Sequence, residues 1–495
     1  MEDESIFIQR EEARMTGNEY TTAIEDRRIA KNTEMVPHGW FVLTLLCVAQ
    51  FLTVFNFQAV TLALPAIQKG LGFSQENLQW VVSVNALGFG GLLIVGGKVA
   101  DHFGHRRLFL PGMVLFALAS LLCGLASSQW LLIVGRALQG VASAIVIPTS
   151  MALLTDTFAE GERRNLALGI WGMVGSIGGT AGVLCGGMLA DHPGWPWIFF
   201  LSVPVTLLGV VFAPFILTKQ YDQQSVQPVD IPGAVTVVGG IVLLVYGLTL
   251  VTRSSLNIFH LAAIFLFALI LLAVFVVIQM RSRYPLIPLS IFRHRTFVGV
   301  NLVMLVMSAV ANTPLFFFAL YMQQVRGYSP LLTGLAFLPT NAALLLGSAL
   351  GTRLCNRFGV RRATLLGMGV LLLSPLLLSS IAVDGSYAVT LLPGLIMEGL
   401  GLSIVQVSIT IAGLEGVQVH ERGLASGLLS MDSQIGTAIG LALLVTIATM
   451  RTNAVAGPSS VAALVVGFQW AFYAGTVLGV VGLLIAFLMV REQPV

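Results

Sequence analysis

The chain has 495 residues, 56% of them hydrophobic and only 10% charged, with a formal net charge of +3. Soluble domains carry about 25% charged residues, so that class is excluded. The apolar stretches are continuous and do not alternate like the strands of a membrane barrel. What remains is an all-α polytopic membrane protein.

Residues 1–37 form a polar tail with nine acids and five bases. The tail lacks an apolar core of signal-peptide length and reads as a disordered cytoplasmic tail. A bilayer-crossing helix needs about 20 apolar residues. Fourteen runs qualify, near 39–66, 78–99, 108–127, 130–155, 165–189, 196–217, 231–252, 257–280, 296–324, 330–352, 362–383, 387–413, 422–447 and 467–490. They divide as a six-helix bundle over 38–217, a polar linker over 218–230, an inserted helix pair over 231–280, a basic connector over 281–295, a second six-helix bundle over 296–490 and a short tail over 491–495. An even number of spans puts both termini on one side. With the termini inside, inner loops and tails hold 21 Lys and Arg and outer loops hold four, Lys69, Arg253, Arg326 and Arg451. The positive-inside rule then predicts that both termini are cytoplasmic.

Between the second and third runs lies Gly97-Lys98-Val99-Ala100-Asp101-His102-Phe103-Gly104-His105-Arg106-Arg107, a glycine-framed charged loop. A weaker copy, Thr352 to Arg362, follows 255 residues later. Such a recurrence predicts two related halves meeting at mid-membrane, the usual construction of a secondary transporter. Asp101 beside Arg106 and Arg107 suggests a charge latch that forms in one of two rocking states, with Gly97 and Gly104 allowing a tight turn. The alternative is a solvated loop that only sets topology, yet a carboxylate adds little to topology.

Several motifs stand in register with this topology. Gly97, Ala100, Asp101, Gly104 and Arg106 match the loop motif of the major facilitator superfamily, with His102 and His105 replacing its usual basic residues. Leu131, Gly135, Arg136, Gln139 and Gly140 match its span 4 motif. Gly178, Gly182, Gly186 and Gly187 resemble the antiporter motif of span 5, with Val183 where that motif has proline. Trp195 to Phe200, and Asn56 to Pro65, resemble the start of span 6 and the span 1 signature, where the family usually has aspartate in place of Asn56. The chain thus resembles the fourteen-span drug–proton antiporter branch of that superfamily. The resemblance implies two six-helix bundles with two inserted helices, working as an exporter by alternating access in the bacterial inner membrane. In the family the span 4 arginine is coupled to protonation near the span 1 carboxylate. Here that partner position is Asn56, which does not titrate.

Glu398 and Asp432 are the acidic residues deep within spans, and Arg136 is the base. A charge at mid-bilayer costs several kcal/mol unless it is paired, neutralised or watered. Glu398, Asp432 and Arg136 are therefore the proton-coupling candidates, with a structural, hydrogen-bonded acid as the alternative. Gly178, Gly182, Gly186 and Gly187 repeat at helical spacing and allow close helix approach. They are expected to seal the halves on one side. Polar breaks in apolar runs nominate a substrate cavity of Asn56, Gln58, Asn85, Gln139, Asn312, Asn341 and Gln406. Phe316, Phe317, Phe318 and Tyr321 are its expected aromatic walls. No phosphate-binding loop, metal-ligand cluster or catalytic triad is found, so neither enzyme activity, a cofactor nor a metal is expected. The expected partners are a small molecule, protons and the lipid bilayer, with no nucleic acid, and a monomer is expected. A facilitator or proton symporter of one metabolite, and a nontransporting sensor, are the competing readings.

Overall fold

The computed structural model describes residues 37–158, 161–217, 230–251, 258–293, 295–311, 313–415, 422–455 and 461–490. Most of the N-terminal tail, most of the linker before the inserted pair, the last five residues and Asn312 lie outside the described residues. Fourteen helical segments are long and apolar enough to cross a membrane. The first six are α1 (Gly39–Leu71), α2 (Gln75–Phe103), α3 (His105–Gly124), α4 (Gln129–Thr157), α5 (Glu162–Gly194) and α6 (Pro196–Ile216). The next pair is α7 (Ile231–Leu250) and α8 (Ile258–Arg281). The last six are α9 (Arg295–Val325), α10 (Pro330–Phe358), α11 (Val360–Leu378), α12 (Tyr387–Glu415), α13 (Gly423–Ala454) and α14 (Val461–Met489).

Helices are what a hydrocarbon slab demands, because backbone polar groups there must be satisfied within the segment. Side chains cap several starts. Ser74 accepts from the Asn77 N–H, Ser128 from that of Leu131, and Ser329 from that of Leu332. These three caps lie on one face of the molecule. The turns at Gly104 and Gly359 lie on the other, called here the basic face. Several helices outrun their apolar stretch. α1 continues to Leu71, α10 to Phe358 through Arg353 and Arg357, and α13 to Ala454. The apolar count measures the slab, whereas the helix continues into the interface.

Small residues set the packing in both bundles. In the first, Gly178, Gly182 and Gly186 of α5 lie against Phe51, Phe55 and Ala59 of α1, and Gly140 of α4 lies against Asn85 of α2. In the second, Gly436 and Gly440 of α13 lie against Leu305 and Ala309 of α9, and Gly399 of α12 lies against Thr340 of α10. The first helix of each bundle thus meets its fifth, and the second meets its fourth. The internal repeat of the sequence recurs as a repeat of packing.

The inserted pair docks beside α2 and α13. Val238 of α7 meets Gly91 of α2, and the Thr446 hydroxyl of α13 donates to the Leu248 carbonyl of α7 at 2.9 Å. The connector after α8 is pinned rather than loose. Lys98 donates to the Pro285 carbonyl, and the Ile287 N–H donates to Gln279 Oε1 at 3.1 Å. Leu286, Ile287 and Ile291 are buried in one cluster with Ile94 of α2 and with Ala425 and Leu428 of α13.

Candidate functional site

Gly104 alone separates α2 from α3, at φ 92°, and Gly359 alone separates α10 from α11, at φ 82°. The eleven-residue charged loop expected from sequence is therefore a one-residue hinge between two helices. Only the left-handed position needs glycine, and charged residues on either side remain helical. Gly97 lies within α2.

The hinge carries a charge cluster that differs from the expected latch. Asp101 faces His105, not Arg106 or Arg107: His105 Nε2 lies 3.1 Å from Asp101 Oδ1. The other ring nitrogen, Nδ1, lies 2.8 Å from Asp156 Oδ2 at the end of α4. Asp101 lies in the last turn of α2 and His105 opens α3, so the Gly104 hinge folds the two side chains together, whereas Arg106 projects to another side. Arg106 instead donates to the Pro214 carbonyl of α6 at 2.8 Å. A neutral imidazole has one N–H and an imidazolium has two, so only the protonated ring donates to both carboxylates. Asp156 was not foreseen. It lies 55 residues from Asp101 in the chain, and nothing in its local sequence marks it.

The glycine series of α5 divides. Gly178, Gly182 and Gly186 pack within the first bundle against α1, and only Gly187 reaches the second, against Pro330 of α10. The reason is their spacing. The first three lie at four-residue steps on one face, and Gly187 is rotated by one residue from them. Gly334 of α10 against the Val183 carbonyl extends the contact between halves. Alongside it, Gln323 Nε2 donates to the Leu62 carbonyl at 3.0 Å and Gln324 Nε2 to Gln68 Oε1 at 2.6 Å. These contacts close the halves at the face opposite the basic one.

Deeper toward the basic face lies a cavity of about 380 Å³ between the bundles. The first bundle contributes Gln50, Thr53 and Val54 of α1, Phe89 of α2, Ile147 of α4 and Trp171 of α5. The second contributes Met304 of α9, Gln406 and Thr410 of α12, and Ser426, Leu429, Ser430, Ser433 and Gln434 of α13. Among the predicted residues it gathers only Gln406. The signal for the rest was in the spacing. Residues 426, 430, 433 and 434 recur as i, i+4, i+7 and i+8, a polar stripe along one face of α13.

The other nominated residues lie elsewhere. Asn56 turns into the first bundle, where Nδ2 donates to Ser202 Oγ of α6 at 2.7 Å. Arg136 is buried in the same bundle. Its Nε donates to the Val81 carbonyl at 2.9 Å and Nη1 to Gln139 Oε1 at 2.8 Å. Gln139 passes the chain on to Ser120 Oγ, and Asn85 Nδ2 donates to the Arg136 carbonyl. Asn56 and Arg136 therefore serve separate networks. Gln58 and Phe316 line a void of about 10 Å³, room for roughly one water. Phe317 stacks in the second bundle against Phe468 and Phe472, and Phe318 against Phe337. The Tyr321 hydroxyl donates to the Ala382 carbonyl at 2.6 Å. Aromatic rings in these spans pair with each other inside the bundle. Asn341 on α10 leaves Nδ2 without a partner among the described residues.

The two interior acids also stay off the cavity wall. Glu398 is 2% exposed, and its Oε2 has no partner among the described residues. Its neighbours Gly394 and Gly401 pack on α11, so it belongs to the interior of the second bundle. Asp432 shares a helix face with Leu428 and Ile435, which belong to the cluster joining α13 to α7 and the connector.

Two bundles of related packing, closed at one face and enclosing a cavity that reaches toward the other, define a membrane transporter. The family model of the Major Facilitator Superfamily matches residues 46–441. The puromycin resistance protein pur8 of Streptomyces alboniger is 34% identical over 84% of this chain and 83% of its own. The cephamycin export protein CmcT of Amycolatopsis lactamdurans is 34% identical over 83% of this chain and 85% of its own. Among solved structures, a bacterial homolog of the human lysosomal transporter Spinster, in an inward-facing, unoccupied conformation, superposes with a TM-score of 0.65 at 16% identity. It covers 93% of this chain and 99% of its own. The chain belongs to the major facilitator superfamily.

Proposed function

We propose that this protein exports small amphiphilic compounds across a bacterial cell membrane by alternating access, in exchange for protons. The observation that carries this reading is the central cavity, cut off from one face by the α1–α9 and α5–α10 contacts. Relatives named for puromycin resistance, cephamycin export and multidrug resistance supply the direction. The basic face is cytoplasmic by its Lys and Arg content, so the closed contacts lie outside and the cavity faces inward. The Asp101–His105–Asp156 cluster is the cytoplasmic gate latch, Arg106 ties its hinge to α6, and Gly187 belongs to the external seal.

Proton coupling runs through Glu398, buried without an ion pair among the described residues, with Asp432 as the second acid and Arg136 as a fixed charge. Because Glu398 lies inside the bundle, it acts on helix packing and not by touching the substrate. Protonation changes how readily α12 and α11 accommodate each state. In everted vesicles, expression should drive accumulation of at least one drug from a panel of neutral and ionisable amphiphiles under an imposed proton gradient. Glu398→Gln should abolish that accumulation while sparing substrate counterflow. A variant with unchanged proton-driven accumulation removes Glu398 from the mechanism. One observation favours a second reading, a facilitator or symporter for one metabolite: Asn56 puts a bonded amide where an exchanging carboxylate is usual. Expression that raises cellular accumulation of a candidate substrate would select it.

A further inference from the structure

We propose that the central cavity accepts uncharged amphiphiles bearing neutral hydrogen-bonding groups and discriminates against ionised compounds. The inference deepens the export reading and rests on it. Among the described lining residues there is no Asp, Glu, Lys, Arg or His. The polar wall consists of amides, hydroxyls and one indole, and the interior charges Arg136, Glu398 and Asp432 all belong to surfaces away from it.

Three of the five lining hydroxyls are turned back onto their own helices. Thr53 donates to the Ala49 carbonyl at 2.9 Å, Thr410 to that of Gln406 at 2.7 Å, and Ser430 to that of Ser426 at 3.0 Å. Each has committed its proton to its own helix and offers only lone pairs to a ligand. Gln50 Oε1 is a further acceptor, and Trp171 Nε1 a donor, neither with a partner among the described residues. With the amide N–H groups of Gln50, Gln406 and Gln434, and with Ser433 accepting from Ser308 at 3.0 Å, the wall offers both donors and acceptors without a formal charge. Val54, Phe89, Ile147, Met304 and Leu429 supply apolar surface for the rest of such a molecule. A volume of about 380 Å³ suits a drug-sized compound.

Occlusion makes the selection strict. During transport the halves must close over the ligand at mid-membrane. An ion would lose its water there with no opposite charge among the described lining residues, whereas a neutral ligand exchanges water for the wall's uncharged donors and acceptors. It follows that substrate and proton do not compete for one carboxylate in this cavity.

The test uses the purified full-length protein and three probes on one scaffold: 4-methylumbelliferyl glucoside (neutral), glucosaminide (amine) and glucuronide (carboxylate). Equilibrium dialysis at about pH 6 keeps the last two ionised. The glucoside should bind on the order of tenfold tighter than either ion. Equal or tighter binding of the amine or the carboxylate overturns the proposal, as does saturable binding of none of the three. Gln406→Glu places a carboxylate in the wall and should reverse the order of glucoside and glucosaminide; an unchanged order also overturns it. Ser430→Ala, a milder change, should weaken glucoside binding by roughly threefold, and no change would count against a hydrogen-bonding wall. The export reading fails separately, if vesicles show no energised accumulation of any drug from a panel of neutral and ionisable amphiphiles while the binding order holds.

Discussion

The hinge between α2 and α3 and the hinge between α10 and α11 share a backbone and differ in chemistry. Each breaks two helices with one left-handed glycine, at φ 92° and 82°. Each is followed two residues on by an arginine that donates to a carbonyl in the last helix of its own bundle. Arg106 reaches Pro214 at 2.8 Å and Arg361 reaches Phe487 at 3.1 Å. The Asp101–His105–Asp156 cluster sits at the first hinge. Where this hinge places Asp101 and His105, the second places Asn356 and Val360. The shared features are what two tightly joined antiparallel helices require. The Asp101–His105 pair has no counterpart at positions 356 and 360, so the proposed gating cluster is an asymmetric addition to a pseudo-symmetric frame.

The largest expected effect tests the shared part. Gly104→Ala and Gly359→Ala should each cost about 1–2 kcal/mol through left-handed strain, read as lower thermal stability in detergent. If only one substitution matters, the two hinges are not equivalent. Next comes the cluster. Asp156→Asn should slow transport turnover by roughly fivefold, about 1 kcal/mol for one charge-assisted hydrogen bond at a part-exposed site, with KM nearly unchanged. Val360→Ala, at the position matching His105, should change turnover less than about twofold; equal losses would erase the asymmetry. The pH profile sharpens the same contrast. Rising pH removes the proton that lets His105 donate to both carboxylates, so the latch weakens toward alkaline pH. His105→Arg, a permanent cation, should flatten that part of the turnover profile; an unchanged profile would remove His105 from gating. The smallest effect is expected for Asp101→Asn, which copies Asn356. Its side chain is 65% exposed, so solvent screening leaves only a few tenths of a kcal/mol, visible as a slight rise in turnover time without loss of affinity.

Hydropathy alone made the spans legible, because burial in hydrocarbon imposes length and helical structure on any sequence. The hinge glycines were legible as well, since only glycine is at ease in the left-handed region. The cavity was mostly not. Asn56, Asn85 and Gln139 look like cavity residues because they interrupt apolar runs, yet each donates a hydrogen bond inside the first bundle, to Ser202, the Arg136 carbonyl or Ser120. An interruption in hydropathy says that a polar group is present, not which way it points. The spacing of Ser426, Ser430, Ser433 and Gln434 did hold direction, because one helical face is a geometric statement.

By itself, the sequence determined the class, the number and approximate extent of the spans, the pseudo-repeat and the family. Those follow from solvent partitioning and from short local patterns. Tertiary structure decided which face of each helix looks inward, that Asp101 pairs with His105 and that Asp156 joins them, and that the cavity wall is uncharged. These depend on contacts between residues far apart in the chain. Helix packing brings such residues together at the scale of single side chains, where a rotation of one residue moves a group from the cavity into the bundle.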